Sequence, residues 1–190
     1  PIEYLFQPNK SIIAQRQLGS DMLSFASGLK HALRQDPNVI MVGEMRDLAT
    51  IATTITLAET GHMVLATLHT YNASQTIDRI IDIFPPHQQA QVRMQLSMTL
   101  ASVISQRLIP KEKGGRIASR EILLNTSAVA NLIRENKVAQ IKTVIETSSK
   151  EGMVSIDQDL KRLYEEKLIS KETAQGQMDN PELLDRFKIL

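Results

Sequence analysis

An acidic residue directly after an apolar run is the clearest candidate for chemistry in the sequence. Residues 39–42 (Val-Ile-Met-Val) are apolar throughout, and Gly43 and Glu44 follow them. A carboxylate at the end of a buried strand can orient and polarise a water molecule for attack on a terminal phosphate. Glu44 can equally pair with Arg46 or cap the next helix, and the spacing alone leaves these interpretations open.

A second apolar run is flanked by two histidines. His62 precedes residues 63–68 and His69 follows them. Side chains seven positions apart in a strand point to opposite faces, so we do not expect the two rings to share a ligand. His69 is the better candidate for sensing a γ-phosphate or contacting a neighbouring subunit, although a single strand-end histidine is more often a satisfied polar residue. The histidines do not have the spacing of a metal site.

The elements around these residues predict an α/β fold. Both apolar runs have the composition of strands that are buried on both faces of a parallel sheet. Between them, Asp47 is a suitable N-cap for a helix that ends at Gly61. The strand–helix–strand order predicts a βαβ crossover, and ligands bind beyond the carboxyl ends of such strands. Residues 43–47 and 69–70 therefore mark the predicted site.

The remaining pattern predicts several helices and one further strand. Ser20 is the expected N-cap of a helix whose apolar stripe ends at Leu33. Further elements are expected at residues 76–84 (helix), 87–107 (long helix), 116–124 (strand) and from 126 onward (short helices). We place a boundary near residue 125, between an α/β core at 1–125 and an all-helical domain at 126–190.

Composition excludes several classes of protein. A net charge of +1 and an aromatic content of 4% argue against nucleic acid as the main partner. No apolar run approaches the roughly 18 residues of a membrane span, and no signal peptide is evident, so we expect a cytoplasmic protein. The absence of cysteine excludes disulfides and thiolate metal sites. Because the chain begins with Pro1 rather than Met, we expect a segment upstream of it.

Several strings together resemble one family, the secretion ATPases of type II and type IV pilus systems. Residues 36–47 are similar to its Walker B segment, which has Gly before the Glu where a generic Walker B has Asp, and Gly43 matches this narrower pattern. Residues 61–70 resemble its His box, with both histidines in place. Residues 1–4 (Pro-Ile-Glu-Tyr) look like the end of its Asp box, and residues 76–88 also follow the family. The resemblance covers nearly the whole chain.

Two features point to the retraction motors of the PilT branch. Assembly and secretion motors of the family commonly carry a tetracysteine module, and this chain has no cysteine. Residues 128–135 are similar to a C-terminal helix motif that is linked to retraction, with Val129 and Ala130 in place of the commoner Ile-Arg pair. The motif residues that match are Ala128, Asn131, Leu132, Ile133, Arg134 and Glu135.

The resemblance implies a RecA-like parallel-sheet core in an ATP-hydrolysing, Mg²⁺-dependent homohexamer. It also implies a position peripheral to the inner membrane, with the membrane reached only through a pilus platform protein. In that setting Glu44 positions the water, and Glu3 supports it near the magnesium and the terminal phosphate. The residues expected to couple nucleotide state to subunit packing are His69, His62, Arg46 and Asp47.

Other functions remain open at this point. The first alternative is an assembly or secretion motor of the same family, which pushes subunits outward. The second is a non-catalytic regulator that keeps the fold and binds the hexamer or the pilus base. A DNA-processing RecA relative is disfavoured by the near-neutral charge.

The 190 residues do not contain Gly-x-x-x-x-Gly-Lys-Ser/Thr, the loop that holds nucleotide phosphates. The resemblance implies that this loop and its strand lie upstream of Pro1. We therefore expect that the chain alone binds ATP weakly or not at all and does not hydrolyse it. Mg²⁺ would be held mainly by the loop hydroxyl and the nucleotide, so no direct metal ligand is expected here. A sheet without that strand should have open edges.

Overall fold

A computed structural model describes residues 1–184 of the chain. They fall into two compact units, the first from Pro1 to Leu68 and the second from His69 onward. Within the described residues, none of the helices combines the length and the apolar character that crossing a membrane requires.

The first unit is built around a two-stranded parallel sheet. Its elements are α1 (Phe25–Ala32), β1 (Val39–Val42), α2 (Leu48–Glu59) and β2 (Met63–Ala66). In the sheet, Val39 lies opposite Met63 and Val42 lies opposite Ala66. Helix α2 connects the two strands, and α1 packs against α2. The predicted α/β class and the strand–helix–strand order are confirmed.

Helix α1 begins later than the sequence predicted. Its N-cap is Ser24, whose hydroxyl accepts a hydrogen bond from the Ser27 backbone at 3.1 Å. The prediction of Ser20 as the cap is wrong because the chain turns there. Gly19 adopts a positive φ of 96°, and its N–H donates to the Met22 carbonyl at 2.8 Å.

The parallel sheet is covered on one face only. Ile40 and Val42 point into the core, with 7% and 1% exposure. The apolar residues of the other face are 47–62% exposed, and they are Val39, Met41, Met63 and Leu65. The prediction that both faces are buried is wrong for this chain, because within the described residues nothing covers the second face. We call these four residues the bare sheet face.

The second unit contains an antiparallel hairpin among helices. It begins with α3 (Ala73–Asp82) and α4 (Pro86–Thr99), which are followed by β3 (Ser102–Pro110) and β4 (Arg116–Leu124). Ser102 lies opposite Leu124, and Pro110 lies opposite Arg116. The remaining α-helices are α5 (Ser127–Arg134), α6 (Ile141–Thr147), α7 (Ile156–Glu165) and α8 (Lys171–Gln177).

The long helix predicted for residues 87–107 is wrong in its second half. Helix α4 ends at Thr99, and residues 102–110 form β3. The inward positions of β3 include the polar residues Ser105 and Arg107, so the sequence lacks the apolar alternation that marks a half-buried strand. The predicted strand at residues 116–124 is confirmed as β4.

Beyond Leu124, every regular element of the described residues is an α-helix or a 3₁₀-helix. The one exception is a single β-bridge between Val154 and Ile122. Ile109 of β3 belongs to the same hydrophobic cluster as Leu160 and Leu163 of α7. The core of this unit is therefore shared between the hairpin and the helices that follow it. The predicted division between residues 125 and 126 stays a prediction.

The bare sheet face predicts opposite effects for neighbouring residues of β1. In the isolated chain, Met41→Ser should change the free energy of unfolding by no more than about 0.5 kcal/mol, because the side chain is already exposed. It should also reduce self-association, since an apolar face promotes aggregation. Ile40→Ser should cost about 2–5 kcal/mol. Urea unfolding and analytical ultracentrifugation measure both effects, and equal losses for the two variants would show that the face is covered.

Candidate functional site

The loop that carries Glu44 is tied to the end of the neighbouring strand. The Met45 N–H donates to the Thr67 carbonyl at 3.0 Å, and the Thr67 hydroxyl donates to the Gly43 carbonyl. These bonds hold the segments that follow β1 and β2 together just beyond the ends of the strands. The Glu44 side chain, 27% exposed, therefore lies at the carboxyl edge of the parallel pair. Its catalytic role stays a prediction.

Glu44 forms an ion pair with Arg46. The Arg46 Nε lies 2.7 Å from the Glu44 Oε2, and the arginine side chain is 72% exposed. Ion pairs at the protein surface contribute about 0–1 kcal/mol, and because the arginine side chain is exposed, the guanidinium can turn into water when it leaves the carboxylate. Of the alternatives for Glu44, pairing with Arg46 is thus the one that the structure forms. The helix cap is formed by another residue.

Asp47 is that cap. Its Oδ1 accepts a hydrogen bond from the Thr50 backbone at 2.8 Å, and its Oδ2 accepts one from the Thr50 hydroxyl at 2.7 Å. The backbone N–H and then the hydroxyl of Thr50 hold the pKa of Asp47 below its ordinary value. Both carboxylate oxygens are engaged in starting α2. A role for Asp47 in coupling nucleotide state to subunit packing stays a prediction.

His62 lies at the amino end of β2, after the turn that ends α2. Its Nδ1 is 3.1 Å from the Thr60 hydroxyl and 3.2 Å from the Leu57 carbonyl. Gly61 makes this turn with a φ of 92°. Because the strands are parallel, His62 is separated from the carboxyl edge by the length of β2, roughly 13 Å at the usual rise per residue. The structure does not bring His62 and Glu44 together.

Glu3 lies in an extended N-terminal segment with an exposed side chain. Two glutamines hold this segment in place. The Gln17 side chain accepts from the Ile2 N–H at 3.0 Å, and the Gln15 amide donates to the Tyr4 carbonyl at 2.8 Å. The segment is thus ordered by polar contacts, and the supporting role of Glu3 stays a prediction.

His69 is the first residue of the second unit, and its side chain is exposed. The residues after it are closely held. The hydroxyls of Thr70 and Thr76 are 2.6 Å apart, and Asn72 caps α3 by accepting from the Gln75 N–H at 2.8 Å. These contacts hold the backbone that directly follows His69.

The residues of the predicted retraction motif divide between the core and the surface. They lie on α5 or directly after it, and α5 packs against α4. Ile133 is 0% exposed, and Leu132 is half-buried. Ala128 faces outward. The motif thus includes a residue that the fold itself requires.

Three outward-facing motif residues form a chain of polar contacts. Arg134 donates to the Asn131 side-chain oxygen at 3.2 Å, and the Asn131 amide donates to Glu135 at 3.0 Å. The Lys137 Nζ lies 2.6 Å from the other Glu135 oxygen. The contacts from Lys137 and then Asn131 lower the pKa of Glu135. These side chains offer an exposed, mixed-charge surface to a partner.

Glu121 is a buried carboxylate that the sequence did not single out. It lies on β4 and accepts a hydrogen bond from the Ala73 N–H at 2.7 Å. Burial raises the pKa of Glu121, and the Ala73 N–H and the Arg107 charge oppose that change. A cavity of about 180 Å³ adjoins it, lined in part by Arg107 and Lys142. The available signal was an acid at an inward position of a strand otherwise rich in apolar residues.

Comparison with known proteins identifies the family. The model of the family described as "Type II/IV secretion system protein" matches residues 1–176. This chain belongs to that family. A crystal structure of the pilus retraction motor PilT with bound ADP matches with a TM-score of 0.87 at 49% identity, covering 98% of this chain and 52% of that one. The α/β fold of the chain is therefore that of a secretion-family ATPase.

Two curated relatives are similar along nearly the whole chain. The type IV pilus retractation ATPase PilT of Pseudomonas aeruginosa is 50% identical over 96% of this chain and 53% of its own length. A twitching motility protein of Neisseria gonorrhoeae is also 50% identical, over 96% of this chain and 49% of its own length. The chain thus spans about half the length of these relatives.

The cap formed by Asp47 predicts a pH-dependent contribution to stability. Asp47→Ala should cost about 1 kcal/mol near neutral pH, as the loss of an N-cap usually does. Because the folded-state pKa of Asp47 is lowered, this contribution is present above the ordinary pKa and is lost as the pH falls through the lowered one. Urea unfolding of both proteins across an acid pH series measures it. A difference that persists unchanged in strong acid would contradict the assignment.

Because the predicted retraction motif on α5 contains both buried and exposed residues, we predict that substitutions in it differ in their effect on the free energy of unfolding. Ile133→Ser should lower the free energy of unfolding by about 2–5 kcal/mol, because a fully buried apolar side chain is lost. Asn131→Ala, two positions away on the exposed side of the helix, should change it by no more than about 0.5 kcal/mol. Thermal and urea unfolding give both values. Equal destabilisation would show that Asn131 also serves the core.

Proposed function

We propose that this chain forms the C-terminal part of an ATP-hydrolysing motor that retracts type IV pili and so drives twitching motility. The observation that carries the proposal is the half-buried Glu44 carboxylate, held at the carboxyl edge of a parallel pair by the Met45–Thr67 hydrogen bond. Ligands of α/β sheets bind at that edge. The names of the relatives and the absence of cysteine support retraction over assembly.

In the proposed reaction Glu44 orients the attacking water. Its carboxylate accepts a hydrogen bond from the water and directs the water oxygen toward the terminal phosphate, since phosphoryl transfer is catalysed mainly by positioning and by electrostatic stabilisation. Arg46 would move away from Glu44 at small cost, because the arginine side chain is largely exposed to water. Glu3 would add negative potential near the metal. His69 would report the nucleotide state to the packing between subunits.

ATP and Mg²⁺ are the proposed ligands. Within residues 1–184, no group of three or more His, Asp or Glu side chains could hold a metal ion. We propose that a magnesium ion depends on nucleotide phosphates and on a hydroxyl from a phosphate-binding loop, with the carboxylates of this chain acting through water. The metal would neutralise charge on the phosphates. The fixed carboxylate of Glu44 fits such a site as a water-orienting group rather than as a ligand.

The proposed assembly is a cytoplasmic homohexamer at the inner membrane that pulls on a pilus platform protein. The bare sheet face supports an assembly in which further protein covers this surface, because exposed apolar patches of this kind mark contact sites. The polar surface of α5 formed by Asn131, Arg134 and Glu135 is the proposed contact with moving parts of the machinery.

The proposed function predicts a specific effect of Glu44→Gln in the whole ATPase. The variant should still bind ATP, but its turnover should fall by about 10²-fold or more, because an amide cannot accept the proton of the attacking water. A coupled ATPase assay and nucleotide-binding titration measure the two properties. Glu59→Gln, an exposed glutamate at the end of α2, is the matched control and should behave as the unchanged protein. Normal turnover by Glu44→Gln would refute the assignment.

A further inference from the structure

The inner face of the β3–β4 hairpin carries an unusual square of polar residues. In the strand register Ser105 lies opposite Glu121, and Arg107 lies opposite Ser119. Except for the half-buried Arg107, all of these residues are buried. The hydroxyls of both serines are buried without a hydrogen-bond partner within residues 1–184. Buried polar groups destabilise a fold unless they are paired, so this square requires an explanation beyond packing.

One half of the explanation is the contact of Glu121 with helix α3. The Glu121 Oε1 accepts the N–H of Ala73, the first residue of α3, across 48 positions of sequence. A carboxylate at this end of a helix is favoured by the helix dipole. A hydrogen bond to a charged acceptor contributes more than a neutral one, particularly when it is buried. Glu121 therefore holds the start of α3 against the hairpin.

The other half is the contact of Arg107 with Tyr71. The guanidinium carbon of Arg107 lies 3.7 Å from the centre of the Tyr71 ring, a cation–π geometry. One terminal nitrogen donates to the Gln177 carbonyl at 3.2 Å. The Nε is buried and has no hydrogen-bond partner among the described residues. The guanidinium is thus placed for stacking on Tyr71 rather than for complete hydrogen bonding.

Both contacts act on the same short stretch of chain. Tyr71 and Ala73 lie two and four positions after His69, and Thr70, which directly follows His69, contacts the Thr76 hydroxyl. Residues 70–73 are therefore held by contacts with the hairpin, from Arg107 and Glu121, and by a contact with Thr76 of α3. We call residues 69–73 the His69 segment.

We propose that Glu121 and Arg107 are positioning residues that hold the His69 segment in place and thereby set the rate of ATP turnover, an inference that rests on the ATPase function proposed above. Neither side chain is proposed to touch the reacting groups. Each acts by fixing the backbone from which His69 projects.

The charge of Glu121 depends on the groups around it. Arg107 on β3 and Lys142 on α6 favour the carboxylate, whereas Asp179, which pairs with Lys142 at 2.6 Å, disfavours it. Burial outweighs the other contributions and raises the pKa of Glu121. The hold on α3 should consequently weaken as the pH falls through this raised pKa. The same burial makes the charged form a cost to stability at neutral pH, and that cost is relieved as the pH falls.

These properties separate positioning from simple stabilisation. Glu121→Gln keeps the size and the acceptor oxygen but removes the charge, so its unfolding midpoint at neutral pH should be equal to or above that of the unchanged protein. Arg107→Lys keeps the charge but removes the flat group that stacks on Tyr71. A variant that is equally stable yet slower cannot be explained by damage to the fold.

The test uses the whole ATPase and compares Glu121→Gln, Glu121→Ala and Arg107→Lys. Hydrogen–deuterium exchange should be faster in residues 69–76 of each variant, by about tenfold in Glu121→Ala, the size expected from losing a buried hydrogen bond to a charged group. Steady-state kinetics should show a lower kcat with an unchanged KM. As the pH is lowered, the ratio of kcat between the unchanged protein and Glu121→Gln should approach one.

Two exposed residues of the same hairpin are the controls. Glu112→Gln in the turn and Arg120→Lys on the outer face remove no contact with the His69 segment and should leave exchange and kcat unchanged. The inference is overturned if exchange in residues 69–76 matches the controls, if exchange rises equally throughout the unit, or if kcat is unaffected while the segment loosens. Failure of the proposed function itself is recognised separately, since the unchanged protein would then hydrolyse no ATP or Glu44→Gln would remain active.

Discussion

The parallel pairing of β1 and β2 determines which candidate groups of the first unit can act together. Because Val42 lies opposite Ala66, the segments that follow β1 and β2 leave the sheet at the same edge. The hydrogen bond from Met45 to Thr67 continues the pairing for one more step and fixes the loop that carries Glu44. The same direction of the strands places His62 at the other edge. The register of this one strand pair thus places Glu44 at the candidate site and His62 away from it.

Local patterns were sufficient where burial follows composition. The apolar run at residues 39–42 and the first four residues of the run at 63–68 form strands, and the helix between them starts at its predicted cap, Asp47. The errors arose where more distant parts of the chain decide the outcome. Residues 102–110 form a strand because β4 pairs with them, while Ser105 on their inner side hides the alternation. The exposure of one sheet face likewise depends on which other elements are present.

The same distinction applies to the candidate site. Glu44 and Arg46 are two residues apart, so their pairing could be anticipated as one of several local outcomes. The contact between Glu121 and Ala73 spans 48 residues, and no local pattern contains it. A motif similarity also does not separate core from surface. Ile133 proves to be fully buried, whereas Asn131, in the same string, faces outward.

A carboxylate beside an incoming triphosphate repels it, and the repulsion is strong where water is partly excluded. The guanidinium 2.7 Å from Glu44 supplies the opposite charge within the chain itself, so a polyanion approaching this edge meets a nearly neutral ion pair. In the function proposed above, arriving phosphates would attract the exposed arginine away from the Glu44 carboxylate. The ion pair would then work by exchange of counterions, because the attraction between Arg46 and the phosphates would also release the proposed base, Glu44.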